Sequence, residues 1–288
     1  MWQRVSQRLT DPVTYRKHWG HLMRVLRPPR APRPVVLSDL LNQVGEGPAL
    51  GVFAHPDDEI FASGLICELS DRGIPVHLAC LTRGEGGPIG DGTREALGGI
   101  REQELRASAA ALGAGPVTFL GHVDPLGKSH RVFAPPVSVP RLSDQLRDLI
   151  ATVRPALVIT HGSGGEYWHP AHLLTHAAVL HALGGGGSPR VSVLTIRAWR
   201  PGAPLPGMMN RDDPADLVLD GSRHRDRRLD ALRAHHSQAG YFETQGGGAI
   251  EGFLDLTELE SYRLYLAARL NAPDQRSVST SPAAGHRG

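Results

Sequence analysis

Cysteine is nearly missing from this 288-residue chain, which has two, Cys67 and Cys80. They form no Cys-x-x-Cys pair and both sit inside apolar segments. They read as buried free thiols, and a disulfide framework is not supported. Lysine is almost as scarce: Lys17 and Lys128 are the only two among 31 basic residues, and the rest are arginine. Against 29 acidic residues the formal net charge is only +2, and the arginines are interleaved with acids after residue 40. That pattern argues against a basic surface for nucleic acid. No run of about 18 apolar residues occurs, so no membrane span is expected. Met1–Arg30 is polar and basic throughout and lacks the apolar stretch of a secretory signal. A cytoplasmic protein is the expectation, with a small molecule as its partner.

What is present is an ordinary globular composition, 40% hydrophobic and 21% charged, with abundant loop formers in 34 glycines and 23 prolines. Residues 1–48 form a basic, Pro-rich extension. Its prolines in Arg27–Pro34 forbid a helix there, and it can pack on the body, cap a homo-oligomer interface or stay mobile. From residue 49 apolar runs alternate with helical periodicity. Ala49–Ala54, Val76–Leu81, Val117–Leu120, Ala156–Thr160, Val191–Trp199 and Leu217–Leu219 read as strands. Asp58–Arg72, Ile100–Leu112, Leu142–Val153, Pro170–Leu183, Ser222–His236 and Glu258–Leu270 read as helices, with Gly84–Gly99 as a Gly-rich loop. The alternation predicts one α/β domain over 49–271, a doubly wound, mainly parallel, Rossmann-like sheet with helices on both faces. Residues 272–288, rich in Ser, Pro and Gly, read as a disordered tail. In the order 3-2-1-4-5 the first and fourth strands are neighbours, and ligands bind off their carboxyl ends.

Two chemically loaded segments follow those two strands. The first is Ala54-His55-Pro56-Asp57-Asp58-Glu59. An imidazole beside carboxylates can hold a divalent metal. Successive side chains diverge in a tight turn, so one aspartate can bind the ion while its neighbour stays free to take a proton. Capping of the next helix would explain the two acids but not His55. The second segment is Glu166-Tyr167-Trp168-His169-Pro170-Ala171-His172. Pro170 suits a first helical turn, and His169 and His172, three apart, lie on roughly one face. Two histidines and a carboxylate suit either a catalytic zinc site, whose water has a pKa near ~7, or a non-haem iron site, and spacing does not separate them. The free Asp57 favours hydrolysis, which needs a base beside the activated water. A dinucleotide fold is disfavoured, because Gly84, Gly86, Gly87 and Gly90 miss the fingerprint spacing and follow the wrong strand.

At these motifs, over roughly residues 49–240, the chain resembles the PIG-L/LmbE-like family of zinc-dependent N-acetylglucosamine deacetylases. That family includes deacetylases of mycothiol and bacillithiol synthesis and of glycopeptide-antibiotic tailoring. The resemblance implies zinc held by His55, Asp58 and His172, with Asp57 as general base and His169 on the acyl oxygen. It implies hydrolysis of an acetamide on an N-acetylglucosaminyl conjugate, with a thiol-conjugate amidase as the alternative on the same scaffold. Glu85, Arg101 (with Glu104) and the late His235-x-Ser237-Gln238 segment fall where the family has recurrent residues. Arg101 is expected to face the acyl or sugar group or to pair with Glu104, and His235 to support the catalytic aspartate. One departure stands out: Ala171 replaces the family's usual aspartate in His-Pro-Asp-His. This removes a carboxylate partner from His169 and leaves that role to Glu166 or water.

Overall fold

The computed structural model describes residues 36–87, 93–127, 132–184 and 191–265. Residues 1–35, most of the N-terminal extension, and the tail 272–288 lie outside the described residues. The extension's last part is ordered: α1 (Leu37–Gln43) sets Leu37, Leu40 and Val44 into the core.

Five strands follow the apolar runs of the sequence: β1 (Ala49–Phe53), β2 (Val76–Thr82), β3 (Val117–His122), β4 (Leu157–Thr160) and β5 (Ser192–Ile196). They pair in parallel in the order β3-β2-β1-β4-β5, the doubly wound arrangement. The chain then adds β8 (Leu217–Asp220) and β9 (Leu259–Tyr265), with β9 antiparallel to both β5 and β8. A small pair, β6 (Ala198–Trp199) with β7 (Asn210–Pro214), lies beside this seven-stranded sheet.

Strand periodicity divides the core in two. Ala49 and Phe53 face one cluster with Leu65 and Leu69 of α2 (Ser63–Asp71) and Leu105, Ala109 and Leu112 of α3 (Arg94–Leu112). Leu50 and Val52 face the other, with Leu142, Leu146 and Ile150 of α4 (Val139–Val153) and Ala178 and Val179 of α6 (Pro170–Gly184). Along the chain, between β4 and α6, lies a kinked turn, α5 (Gly165–Trp168), in which Glu166 and Tyr167 leave helical φ/ψ. Three helices complete the first face: α7 (Arg225–Ala234), α8 (Ala239–Gln245) and α9 (Ile250–Leu256). Burying a leucine such as Leu65, which has no exposed surface, contributes about 1.5–3 kcal/mol. Cys67 and Cys80 are buried free thiols. Among the described residues no helix is long and apolar enough to cross a membrane.

Three elements differ from the sequence reading. The helix after β1 opens as a 3-10 turn over Asp58–Ala62 before α2. α3 starts at Arg94 and not at residue 100, because Thr93 Oγ1 accepts the Ala96 N–H at 3.2 Å and caps it. Gly98, which suggested a loop, is there for close packing: a Cβ would meet Glu85 Cγ at 2.7 Å. The expected helix over Glu258–Leu270 is a correction. Its described part is strand β9, where pairing with β5 and β8 on either side overrides a composition rich in helix formers.

Candidate metal centre

β1 and β4 are neighbours, so the loops at their carboxyl ends meet at the point where the strand order reverses. Two buried contacts stitch the ends together. Thr160 Oγ1 donates to Val52 O at 2.8 Å, and Ala54 N–H donates to His161 Nε2 at 3.0 Å.

The first loop is wound around a strained residue. Asp57 has φ 108°, unusual for a residue with a Cβ and costing on the order of 1–3 kcal/mol. Its backbone N–H is held by Glu59 Oε2 at 3.0 Å and its Oδ2 by Arg101 Nη2 at 2.9 Å. The Arg101 guanidinium also donates to Pro56 O and, at 3.1 Å, to Gly84 O, so one side chain ties the turn to the loop after β2. Glu59, fully buried, accepts from Ser108 Oγ at 2.6 Å and lies 2.5 Å from His235 Nε2. Burial opposes its charge, yet His235 and Ser108 hold its carboxyl below the usual range. Burial pushes the Asp57 carboxyl up to about 6, against the pull of Arg101 and with that of Asp58.

Asp58 points the other way. Its Oδ2 accepts the His55 N–H at 2.8 Å and lies 3.4 Å from His55 Nδ1, while Oδ1 lies 3.3 Å from His172 Nε2. Burial would raise its pKa, but His172 and His161 hold it well below the usual carboxylate range. On the far side of His55, Nε2 is 3.5 Å from Asp124 Oδ1. Burial works against a charge on His55, but Asp124 and Asp58 outweigh it and push the imidazole up to about 10.

The second loop centres on Glu166, whose φ of 58° is also left-handed. Its Oε2 lies 2.5 Å from His172 Nδ1 and 3.0 Å from His161 Nδ1, and the two rings stack with centroids 4.0 Å apart. Its Oε1 accepts from Gly162 N at 3.0 Å and from Asn210 Nδ2 at 3.1 Å. Asn210 Oδ1 in turn accepts the backbone N–H groups of Gly164 and Glu166, each at 3.0 Å. Gly162 has to be glycine, since a Cβ would overlap the Asn210 amide.

These contacts fix the proton positions. A carboxylate accepts, so both imidazoles present Nδ1–H to Glu166. Burial opposes charge on His161, but Glu166 and Asp58 outweigh it and push the imidazole up to about 9; against that, its Nε2 accepts the Ala54 N–H, so in this arrangement that nitrogen carries no proton. His172, held neutral chiefly by burial, turns its Nε2 lone pair towards Asp58. That nitrogen is buried and without a hydrogen-bond partner. A buried, unpartnered nitrogen is costly unless something binds it. Beside a carboxylate and a second imidazole it fits a divalent cation. The donor atoms of His55, His169 and His172 lie within 4.8 Å of one another, as do those of Asp58, His161 and His172. The His55 and His172 ring centroids are 5.3 Å apart.

The loops therefore bring His55, Asp57, Asp58, His169 and His172 together, as the spacing suggested, but the supporting contacts differ. Glu166 serves His172 and His161, while His169 Nδ1 is engaged elsewhere. His169 Nδ1 accepts the N–H of Ala171 itself at 3.3 Å, so the residue lacking a carboxylate still sets the tautomer. Burial, together with neighbouring His172 and His55, pushes His169 down to about 2, leaving a neutral ring with Nε2–H. Arg101 lines the cavity, but its guanidinium is bound to Asp57 and two carbonyls and not paired with Glu104. Glu104 instead accepts the Ser237 N–H and Oγ–H, both at 2.7 Å. His235 contacts Glu59 and reaches Asp57 only through it. Glu85 accepts the Asp124 N–H at 3.2 Å and supports that loop. Asp124, His161, Glu59 and Asn210 were missed. Glu59 lies at the end of the first chemically loaded segment, and His161 directly follows the expected fourth strand. A cavity of about 340 Å³ opens over the cluster, lined on its charged side by His55, Asp57, Asp58, Asp124 and His169.

The model of the PIG-L family, described as GlcNAc-PI de-N-acetylase, matches residues 50–183. A Mycolicibacterium vanbaalenii protein named 1D-myo-inositol 2-acetamido-2-deoxy-alpha-D-glucopyranoside deacetylase is 30% identical over 278 residues, spanning 82% of this chain and 96% of that one. The chain belongs to the PIG-L family. Among solved structures, a teicoplanin-pathway deacetylase triple mutant is similar with TM-score 0.58 and 17% identity, covering 76% of this chain and 98% of that one. The 4-carboxy-2-hydroxymuconate hydratase of Pseudomonas putida KT2440 matches with TM-score 0.55 and 21% identity, covering 77% and 97%. Both likenesses show the Rossmann-like fold of this PIG-L chain. A deacetylase and a hydratase on one scaffold mean that the reaction has to be argued from the site.

Proposed function

We propose that this PIG-L chain is a zinc-dependent deacetylase, hydrolysing the acetamide of an N-acetylglucosaminyl conjugate to acetate and a free amine. The observation that carries this reading is the unpartnered His172 Nε2 facing Asp58, next to an aspartate, Asp57, tied to an arginine and left outside the donor set. Donors around a tetrahedral zinc at ~2.0–2.2 Å stand about 3.3–3.6 Å apart. His172 Nε2 stands 3.3 Å from Asp58 Oδ1, which matches that spacing, and His55 Nδ1 stands 3.4 Å from the other oxygen of the same carboxylate. His55, Asp58 and His172 would hold the ion, with Asp124 and Glu166 orienting the two imidazoles from behind. A zinc ion held there would supply Lewis-acid polarisation of the amide carbonyl and would lower the pKa of a water.

The chain's own residues supply the proton transfers. Asp57, with a pKa raised towards neutrality, takes the proton of the attacking water and passes it to the leaving amine. Arg101 keeps that carboxylate aimed into the cavity. His169, neutral and carrying Nε2–H, donates to the oxygen that gains charge as the tetrahedral carbon forms.

The reading is tested by elemental analysis of the purified protein, together with amine and acetate release from a panel of N-acetylglucosamine glycosides. Oxygen consumption is followed in parallel. Stoichiometric zinc with matched acetate and amine release supports it. Oxygen uptake, or zinc-loaded protein that cleaves no member of the panel, overturns it.

A further inference from the structure

One buried imidazole between the metal loops takes no part in the proton transfers. His161 has no exposed surface and is not among the residues that line the cavity. Both of its ring nitrogens are nevertheless engaged. Nε2 accepts the N–H of Ala54, the residue before His55, at 3.0 Å. Nδ1–H reaches Glu166 Oε2 at 3.0 Å, the same oxygen that takes His172 Nδ1–H. The ring stacks on His172, with centroids 4.0 Å apart and planes 21° from parallel, and Phe53 meets it edge-on at 5.8 Å. The His161 carbonyl oxygen lies 2.9 Å from His176 Nδ1, which ties its backbone to α6. Nε2 also lies 3.5 Å from Asp58 Oδ2, but its lone pair is committed to Ala54. His161 thus stands behind the donor atoms and not among them.

The place of this residue in the sheet accounts for its contacts. Backbone pairing between β1 and β4 ends at Val52 and Thr160. Beyond that pair the two chains part into loops that have to present donors to one ion within a few tenths of an ångström. Side chains continue the pairing there: Thr160 Oγ1 holds Val52 O, and His161, the next residue, holds Ala54. The Ala54 carbonyl is fixed in turn by Thr82, whose N–H and Oγ1–H both reach it at 3.1 Å. Ala54 is therefore held at its N–H and its C=O immediately before the first metal-binding histidine. On the other loop the same ring holds the carboxylate that sets the His172 tautomer. A junction of this kind needs a donor on one edge of a side chain and an acceptor on the other, which an imidazole provides. We infer that His161 is a positioning residue that clasps the two metal loops together and thereby sets the affinity for the ion. This rests on the zinc reading of the site, but not on which amide is hydrolysed.

The test is the zinc affinity of the full chain, read by competition with a chromogenic chelator. The absorption bands of the cobalt(II)-loaded protein are a second readout. His161→Phe keeps a ring for the stack but makes neither hydrogen bond. Its zinc affinity is expected to fall about 10–100-fold, the usual cost of losing a partner behind a metal ligand. His161→Gln offers a carbonyl oxygen and an N–H from one amide and is expected to recover most of that loss. Its cobalt bands stay where the wild type has them, because no ligand has been exchanged. His161→Asn, too short to reach Ala54, is a milder variant expected to fall between the two. In His161→Phe/Glu166→Gln the loss is smaller than the sum of the single losses, since both changes act through one contact. A residue needed only for its shape gives the reverse order. Phe equal to or ahead of Gln, cobalt bands that move in His161→Gln, or a His161→Phe affinity within about twofold of wild type overturns the inference. A wild-type chain that binds zinc but releases no acetate counts against the deacetylase reading and leaves the affinities to decide this one. A wild-type chain that binds no zinc overturns both.

Discussion

Arg101 Nη2 lies 2.9 Å from Asp57 Oδ2, and the same guanidinium reaches Pro56 O and Gly84 O on the two loops that flank it. The turn that carries a residue with φ 108° is thus tied by one guanidinium fork to the loop after β2. Lysine keeps the charge but not the fork. Arg101→Lys is expected to lower kcat by about 10²-fold while leaving zinc content near one per chain, because misplaced proton transfer forfeits most of the general-base contribution. Since Arg101 depresses the Asp57 pKa, loosening it also moves the acid limb of the kcat/KM profile upwards in pH. An unshifted limb would mean that Arg101 is merely structural.

The wild-type pH profile has a definite sign. Asp57 acts as a base only when ionised, so activity rises with pH through its pKa and levels off above it. Burial, opposed by Arg101, raises that pKa to about 6. A bound cation favours the carboxylate, so the acid limb of the loaded enzyme falls at or below about pH 6. A rate that declines steadily from pH 5 to 7 contradicts a base at this position.

Substitution separates metal binding from proton transfer. Asp57→Asn retains zinc and loses about 10²–10⁴-fold in kcat. Asp58→Ala and His172→Ala lose the ion itself, as measured by elemental analysis after gel filtration. Chelation abolishes wild-type turnover, and added zinc restores it. If Asp57→Asn sheds zinc while His172→Ala keeps it, the two roles have been assigned the wrong way round.

Glu166 holds the Nδ1–H groups of His172 and His161 with one oxygen. An amide in its place no longer offers a charged acceptor to both rings. Zinc affinity of Glu166→Gln, read by competition with a chromogenic chelator, is expected to fall about 10–100-fold, with kcat at saturating zinc changed less. An affinity within twofold of wild type would show that the His172 tautomer needs no carboxylate.

Much of this was legible in the sequence, for identifiable reasons. β1, β2 and β4 are buried along most or all of their length, so they read as short unbroken apolar runs. His55 with Asp58, and His169 with His172, lie close along the chain, where spacing alone brings side chains together. Contacts between distant segments left no such trace. Asn210 reaches Glu166 across 44 residues, and Asp124 reaches His55 only because β3 ends on the same rim as β1. The Ala171 N–H that serves His169 left no trace because a backbone donor has no signature in sequence. β9 was missed because Leu, Glu and Arg favour a helix, and only its neighbours in the sheet make it a strand.

β9 also supplies the last prediction. Glu260 is buried and accepts the N–H groups of Gly64 and Leu65 at 2.6 and 2.9 Å, at the start of the helix that follows the metal loop. It also takes the Tyr262 hydroxyl at 2.6 Å and faces the buried Arg228 guanidinium at 3.6 Å. Removing it orphans two amide donors and leaves a buried cation without its carboxylate, a loss of about 3–5 kcal/mol. For a chain of this size that corresponds to a fall in Tm on the order of 10 °C. Glu260→Ala/Arg228→Met should cost less than the sum of the single changes, since the uncompensated charge is gone. Strict additivity, or a Glu260→Ala Tm within about 2 °C of wild type, would show that α2 is held by its apolar face and not by this carboxylate.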